Sequence, residues 1–325
     1  MPRTPGADEQ RTKASSQITS TPLSVVDKAF VKALPKAELH AHLSGSISAQ
    51  TLHELWERRV TKGECLKLQD PLDVMPSSRE DVNIVSFFPI FDGYIYQLLN
   101  DVESIQYATE SVIADFARDG VAYLELRTTP RESLSTSRAA YVEAVHQVVG
   151  RHNLFTGGES DQDRGIEVRL ILSIDRSMAP EQAEEVVDLA LKHKGDYVVG
   201  VDLCGNPIKG DVTSFTPAIL RAKAQGLHLT VHFAEVPGTA TELELSTILS
   251  WQPDRLGHTD DVGIFGSPLS NEYLLAAMNF DLGAQDLVGL SRSAASITFA
   301  DCRVLKTKLD RFEDTLRLAD VPDQH

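Results

Sequence analysis

The sequence predicts an α/β fold in which parallel strands alternate with helices around one sheet, either open or closed into a barrel. Short apolar runs alternate with longer amphipathic segments from about residue 34 to residue 258, with no repeat of solenoid period. The chain has 325 residues, of which 42% are hydrophobic and 24% charged, which is an ordinary globular composition. A chain of this length and composition suits one large domain or two ordinary ones.

Six short apolar runs are predicted to be the strands. Their lengths and their content of Val, Ile, Leu and Tyr suit strands that are buried on both faces, as in a parallel sheet. The runs are residues 37–43, 121–126, 167–174, 197–203, 228–233 and 254–258.

Helices are predicted between these strands, where apolar residues recur at helical spacing. The segments are 48–59, 104–120, 179–195 and 216–226. Ser48 is a candidate N-cap of the first, and Gly120 is a candidate C-cap of the second. Residues 1–22 are polar and lack periodicity, so we expect a disordered tail there.

Charge and cysteine content exclude several functional classes. The net charge of −16 disfavours nucleic-acid binding, because no basic stripe offsets the repulsion of phosphates. The three cysteines, Cys65, Cys204 and Cys302, are widely spaced, which disfavours a disulfide framework or a thiolate zinc site. We found no membrane span and no signal peptide, so we expect a cytoplasmic protein without a membrane partner.

The strongest chemical signal is the His40-Ala41-His42 sequence inside the first predicted strand. Side chains two residues apart on a strand point to the same face, so both imidazoles converge. Burying two such rings is unfavourable unless a partner satisfies them, and a divalent cation does this well. A hydrogen-bonded pair of core histidines is the ordinary alternative.

Three more polar clusters lie at the ends of later predicted strands. They are Asp202 to Pro207, His232 to Glu235, and Asp254 to Asp261. Each has an ordinary interpretation alone, as a turn, a strand end or a solvated loop. All of them fall at carboxyl ends of strands, where barrels and open α/β sheets assemble their sites. Three histidines with a carboxylate suit Zn²⁺, which lowers the pKa of a bound water to about 7.

Several of these motifs resemble the adenosine/AMP deaminase family of zinc hydrolases. The matching stretches are LPKAELHAHLSGSIS, DLCGNP, LTVHFAEVP, DRLGH and TDDVGIFGSPLSNEYLLA. LELRTTPR at 124–131 and LSIDR at 172–176 resemble the N(6)-methyl-AMP deaminase branch of that family. The resemblance implies a TIM-like (β/α)₈ barrel of the metal-dependent hydrolase type over residues 23–325, with one Zn²⁺ per chain. It also implies a purine nucleotide as the small-molecule partner, and we expect a monomer.

The resemblance also implies a role for each matching residue. The metal ligands would be His40, His42, His232 and Asp260. Glu235 would protonate the purine ring nitrogen beside the attacked carbon, and His258 would orient and deprotonate the attacking water. Asp261 and Gly205 would hydrogen-bond the imidazole-ring and pyrimidine-ring nitrogens of the purine. A protonated acid and a positioned base are what hydrolytic attack at purine carbon 6 requires.

The sequence departs from the family pattern after His258. In the family, the corresponding histidine ends the sixth strand and the Asp-Asp pair ends the eighth, but here only Thr259 separates His258 from Asp260. We therefore expect an internal deletion after residue 258 and an incomplete barrel that lacks about two strands. Missing strands leave unpaired edges and an exposed interior. We expect His40, His42 and His232 to stay together, whereas His258 and Asp260 cannot both occupy the family positions.

The sequence leaves several functions open. The first is hydrolytic deamination of an N(6)-methyl-AMP-like mononucleotide to IMP and an amine. Ser44 favours it over the second, adenosine deamination, because nucleoside-deaminating relatives carry an aspartate there that would repel a phosphate. The third is an impaired splice-type variant that binds zinc or nucleotide without turnover. A phosphoesterase or amidase is a fourth, disfavoured by the purine-facing residues. Arg127, Thr129 and Arg131 are candidates for a phosphate contact or, more simply, for surface ion pairs.

Overall fold

The structure is a computed structural model. It describes residues 26–64, 67–75, 89–155, 165–235, 241–257 and 266–319. The predicted tail, Cys65 and the motif residues 258–261 lie outside the described residues.

The described residues form one curled sheet of six parallel strands in the order β1-β2-β3-β4-β5-β6. The strands are β1 Lys36–His42, β2 Val121–Thr128, β3 Glu167–Asp175, β4 Val198–Cys204, β5 His228–His232 and β6 Arg255–Gly257. Each of the six predicted runs is a strand, with ends that differ by a few residues at most. Among the described residues no strand pairs with the outer edge of β1 or of β6. The sheet is therefore the incomplete barrel that the short connection after His258 predicts.

Helices connect the strands and follow the last one. They are α1 Lys28–Ala33, α2 Ala49–Thr61, α3 Pro71–Val74, α4 Val102–Arg118, α5 Arg138–Phe155, α6 Pro180–Lys192, α7 Thr216–Ala224, α8 Glu242–Trp251, α9 Leu269–Phe280, α10 Ala284–Ser296 and α11 Arg303–Ala319. A π turn over Phe91–Ile95 runs into a short helix, Tyr96–Leu98. Short 3₁₀ turns cover Ser44–Ser46 and Val212–Phe215.

The predicted helices form close to the predicted bounds, because residues that favour helix caps lie at those positions in the sequence. The Ser48 side chain accepts a hydrogen bond from the Thr51 backbone at the start of α2. Asp101 caps α4 through a capping box, and α4 begins at Val102, two residues ahead of the predicted start. Gly120 follows α4 with a φ of +83°, and a Cβ atom there would overlap the Lys32 carbonyl. The backbone at Gly120 therefore requires glycine.

Two apolar clusters hold the helices against the sheet. The larger one packs helices α2 and α4 to α8 against the outer face of the strands. The smaller one joins α1 and the C-terminal helices α9 to α11 to the first residues of β1 and β2. No helix among the described residues is long and apolar enough to cross a membrane.

The interior of the curled sheet is polar. On β2, Tyr123 and Glu125 point inward, and Glu125 accepts hydrogen bonds from the Tyr123 hydroxyl at 2.9 Å and the Phe299 backbone at 2.6 Å. Arg255 of β6 donates to Glu125 and lies over the Phe299 ring, 3.6 Å from its centroid. The connection between α10 and α11 thus fills the lower end of the interior, which leaves the carboxyl ends of the strands for the site.

Candidate metal centre and active site

Three predicted metal ligands converge at the carboxyl ends of β1 and β5. The His232 Nε2 atom lies 2.8 Å from His40 Nε2 and 2.9 Å from His42 Nε2. His40 and His42 have ring centroids 5.5 Å apart, as the alternation of side chains on a strand predicts. We call these residues the histidine cluster.

Hydrogen bonds at the far side of the His232 ring fix how that ring presents itself to the cluster. Its Nδ1 atom lies 3.0 Å from the Leu203 carbonyl and 3.1 Å from Asp202 Oδ1. A carbonyl only accepts, so Nδ1 carries the hydrogen and donates. In the neutral ring the Nε2 lone pair then faces the other two histidines. This is the orienting contact that metal-bound histidines typically have.

The local charges favour one cation at the centre of the cluster. Burial and the nearby Arg127 guanidinium hold the pKa of His40 far below its usual value. Burial and His232 do the same for His42, so both rings are neutral. Burial alone would lower the pKa of His232, but the Asp202 carboxylate outweighs it and raises that pKa. A proton or a metal ion at His232 Nε2 supplies the positive charge, and metal binding would displace the proton.

The geometry and chemistry of the cluster fit Zn²⁺. Zinc–nitrogen bonds of about 2.0–2.1 Å in a tetrahedron put the nitrogen atoms roughly 3.3 Å apart. Separating the three rings by about half an ångström therefore makes room for the ion. Cys204 also lies near His42 and Asp202, within 4.8 Å between ligand atoms. Burial raises the pKa of the Cys204 thiol well above its usual value, so the sulfur stays protonated and the nitrogen atoms are the better ligands.

Asp202 and Arg127 support the cluster from below. Both are buried, and Arg127 Nη1 lies 3.3 Å from Asp202 Oδ1. Arg127 also donates to the Leu39 carbonyl at 2.8 Å, and Ser173 Oγ donates to Asp202 Oδ2 at 3.0 Å. Burial alone would raise the pKa of Asp202, but His232 and Arg127 lower it, so the carboxylate stays charged.

Sequence reasoning missed these supporting roles. The predicted strand 197–203 includes Asp202, but the motif from Asp202 to Pro207 is interpreted as a turn, whereas β4 continues through Cys204. The surface ion pair predicted as one alternative for Arg127 is wrong, because the side chain is buried inside the barrel and pairs there with Asp202, whereas the phosphate contact stays a prediction. The signal was the alternation Glu125-x-Arg127 in a fully buried strand, which places two charges on the inner face.

Glu235, the predicted proton donor, follows β5 directly after a strained turn. Ala234 has a φ of +58°, a conformation that residues with a side chain rarely adopt. Arg176, which is buried, donates to the His232 carbonyl at 3.1 Å and to Glu244 Oε1 at 2.6 Å. The Arg176–Glu244 pair thus holds the end of β5. Glu235 is close enough for its carboxylate to act on the pKa of His232.

Two glycines lie where a side chain would disturb the site. Gly205, a predicted substrate contact, has a φ of +96°, and a Cβ atom there would lie 2.8 Å from the Asp175 carboxylate. Gly257, the last residue of β6, abuts His40 so closely that a Cβ atom would overlap the imidazole ring. The curled sheet therefore brings its last strand against a predicted metal ligand on its first.

A cavity of about 320 Å³ lies at the ends of β2 and β3, and Thr129, Arg131 and Tyr96 line it. The Arg131 guanidinium lies over the Tyr96 ring, 3.5 Å from the centroid, and 3.6 Å from Asp175 Oδ2. Ser44 lies near Tyr96, close enough to lower the pKa of that hydroxyl against the larger raising effect of burial. Arg131 thus offers a partly exposed cation to this cavity.

The remaining predicted site residues are His258, Asp260 and Asp261. All three lie outside the described residues.

Comparison with known proteins assigns the chain to a family. The sequence profile of the adenosine deaminase family matches residues 35–259. The chain belongs to the adenosine deaminase family. The match ends one residue beyond the position where the short connection after His258 predicts a deletion. The family resemblance predicted from the motifs is confirmed.

Individual relatives match over nearly their whole length. An N6-mAMP deaminase of Arabidopsis thaliana is 33% identical, with 85% of this chain and 95% of the relative covered. The alignment spans 344 positions, more than this entire chain has, so the relative carries residues with no counterpart here. This is the result that an internal deletion predicts.

Solved structures show the same fold. The crystal structure of the Arabidopsis N6-mAMP deaminase MAPDA superposes with a TM-score of 0.76 at 34% identity, covering 88% of this chain and 99% of that one. The crystal structure of Arabidopsis ADAL complexed with IMP gives a TM-score of 0.73 at 31% identity, covering 89% and 99%. The barrel-type α/β fold predicted from the sequence is therefore confirmed, in an incomplete form.

Proposed function

We propose that the chain is a zinc-dependent hydrolase that converts N(6)-methyl-AMP, or a similar mononucleotide, to IMP and the corresponding amine, which is methylamine for N(6)-methyl-AMP. The water oxygen bonds to purine carbon 6, and the bond from that carbon to the amine nitrogen breaks. The two water protons end on the adjacent ring nitrogen and on the leaving amine. The observation that carries the proposal is the convergence of His40, His42 and His232 in a member of this family.

Each site residue has a proposed role in the reaction. The histidine cluster, with Asp260 as the further proposed ligand, would hold zinc, and the ion would supply the acidity that makes water a nucleophile near neutral pH. Glu235 holds the proton that the purine ring nitrogen takes up as carbon 6 is attacked. His258 orients the water and accepts its proton, while Gly205 and Asp261 hold the ring nitrogens. Asp202 keeps the His232 lone pair directed at the ion.

The cavity at the ends of β2 and β3 supports a nucleotide rather than a nucleoside. Relatives are named for N6-methyl-AMP, and a structural neighbour is complexed with IMP. Arg131 and Thr129 line the cavity and can bond a phosphate. Ser44 adds no charge to the Tyr96–Arg131 group, whereas an aspartate at position 44 would place a negative charge there.

The test is turnover by the zinc-replete chain. We expect it to release IMP and methylamine from N(6)-methyl-AMP, and to act poorly on adenosine. His232→Gln should abolish turnover, and His228→Gln is the matched control, because His228 lies on the same strand but stacks on Phe299 away from the cluster. Arg131→Met should raise KM for the nucleotide more than for the nucleoside. Equal KM changes for both substrates would overturn the nucleotide assignment.

The connection after His258 favours a second candidate, a chain that binds zinc or nucleotide without turnover. His258 and Asp260 are two residues apart, although the family places them two strands apart, and neighbouring strands are about 4.8 Å from each other. Two results together would identify this form. The unchanged protein would bind zinc that His232→Gln does not bind, and it would form no product. Inserting the missing segment of a relative after His258 should then restore turnover.

A further inference from the structure

A second group of metal-ligating side chains lies in the outer helical layer, away from the histidine cluster. His146 is in the middle of α5, and His193 caps the end of α6. Asp196 follows in the turn that leads into β4, and Glu143 is one helical turn before His146. This turn is at the amino end of β4, whereas the histidine cluster is at the carboxyl ends of the strands.

His146, His193 and Asp196 face one another, and Glu143 lies next to His193. The His146 and His193 ring centroids are 4.5 Å apart. His146 Nε2 lies 3.7 Å from Asp196 Oδ2, and His193 Nε2 lies 3.9 Å from Glu143 Oε2. One ligand atom from each of His146, His193 and Asp196 falls within 4.8 Å of the others. These separations are slightly longer than those between ligand atoms of a tetrahedral ion, so small side-chain rotations close the site.

One ring nitrogen of each histidine makes no hydrogen bond within the part of the chain that the structure describes. His146 Nε2 and His193 Nε2 are buried and have no hydrogen-bond partner among the described residues. The His193 side chain is only 7% exposed, so water does not readily replace the missing partner. An unsatisfied buried polar atom is unfavourable, and two at one point indicate a shared ligand.

We propose that His146, His193 and Asp196, with Glu143 as a fourth ligand, bind a divalent transition-metal ion of the zinc class. Two imidazole nitrogens and two carboxylate oxygens form a borderline donor set that suits Zn²⁺ and not the oxygen-preferring Ca²⁺ or Mg²⁺. The carboxylates of Asp196 and Glu143 are 64% and 45% exposed, which gives the ion a path from solvent. The ion joins the middle of α5 to the turn before β4, so it stabilises the outer layer.

The experiment counts zinc ions per chain. The full chain is stripped with a chelator, loaded with zinc chloride alone, desalted and analysed for zinc and protein. We expect the paired variant His146→Asn/His193→Asn to bind one ion fewer per chain than the unchanged protein, whether or not the histidine cluster is loaded. His152→Asn is the matched control, because His152 is on the same helix but pairs with Glu110. It should keep the full count.

A second measurement separates loss of the site from loss of the fold. Asp196→Asn and Glu143→Gln change exposed side chains, so both variants should fold normally by circular dichroism. We expect each to weaken zinc binding at this site by about tenfold or more in chelator competition. An unchanged ion count in the folded paired variant, or unchanged affinity in both carboxylate variants, would overturn the proposal. The proposed deaminase activity does not enter either measurement, so the two proposals fail separately.

Discussion

Replacing Asp202 with asparagine tests how the interior of the barrel supports the histidine cluster. Asp202 is fully buried between His232 Nδ1 at 3.1 Å and Arg127 Nη1 at 3.3 Å. Asp202→Asn keeps the shape but leaves the Arg127 guanidinium as a buried, unpaired charge. Breaking a buried ion pair in this way destabilises a protein by about 3–5 kcal/mol. Loss of the carboxylate that orients a metal-bound histidine weakens metal binding by about 10- to 100-fold.

Two assays separate these effects. Urea unfolding of the zinc-free chain gives the free energy of unfolding, and competition with a chelator gives the zinc affinity. Ser173→Ala is the control, because it removes a hydrogen bond to Asp202 but keeps the carboxylate, so zinc affinity should hardly change. The double variant Arg127→Met/Asp202→Asn should be less destabilised than the sum of the two single variants, since it leaves no unpaired charge. Additive losses, or unchanged zinc affinity in Asp202→Asn, would show that the carboxylate does not support His232.

Three further predictions concern the proposed catalytic acid Glu235, the approach of β6 to β1 and the buried Lys36. Glu235→Gln should lower kcat for the nucleotide by about 10²- to 10⁴-fold, with the zinc content unchanged. A fall of less than tenfold would show that Glu235 is not the proton donor. Gly257→Ala should push the His40 ring aside. Zinc affinity and stability should each fall by about 1–3 kcal/mol in the same two assays. An unchanged zinc affinity would contradict the close packing of Gly257 against His40. Burial lowers the pKa of Lys36 to about 8, against the opposing effect of the Asp119 carboxylate. Between pH 8 and 10.5 the unfolded chain then binds more protons than the folded chain, so the free energy of unfolding should rise by about 3 kcal/mol over this range. Lys36→Met should remove that rise. An equal rise in the unchanged protein and in Lys36→Met would refute the prediction.

The local pattern of the sequence determined the strands, the helix caps at Ser48 and Gly120, and the grouping of His40 with His42. Strand composition and alternation depend on the immediate neighbours of a residue, which is why six runs could be placed within a few residues. The end of β5 at His232 could be placed in the same way. The short spacing from His258 to Asp260 also predicted an incomplete barrel, because a connection of one residue leaves no room for two strands.

Only the tertiary structure decided which inward-facing side chains meet. Asp202 and Arg127 are 75 positions apart and on strands that are not neighbours, so their pairing depends on how strongly the sheet curls. The same curvature brings Gly257, on the strand at one edge of the sheet, against His40 on the strand at the other edge. The contact between His146 and His193 likewise depends on how α5 packs beside α6. Local propensity carries no information about such distances, because they are set by the packing of the whole sheet and its helices.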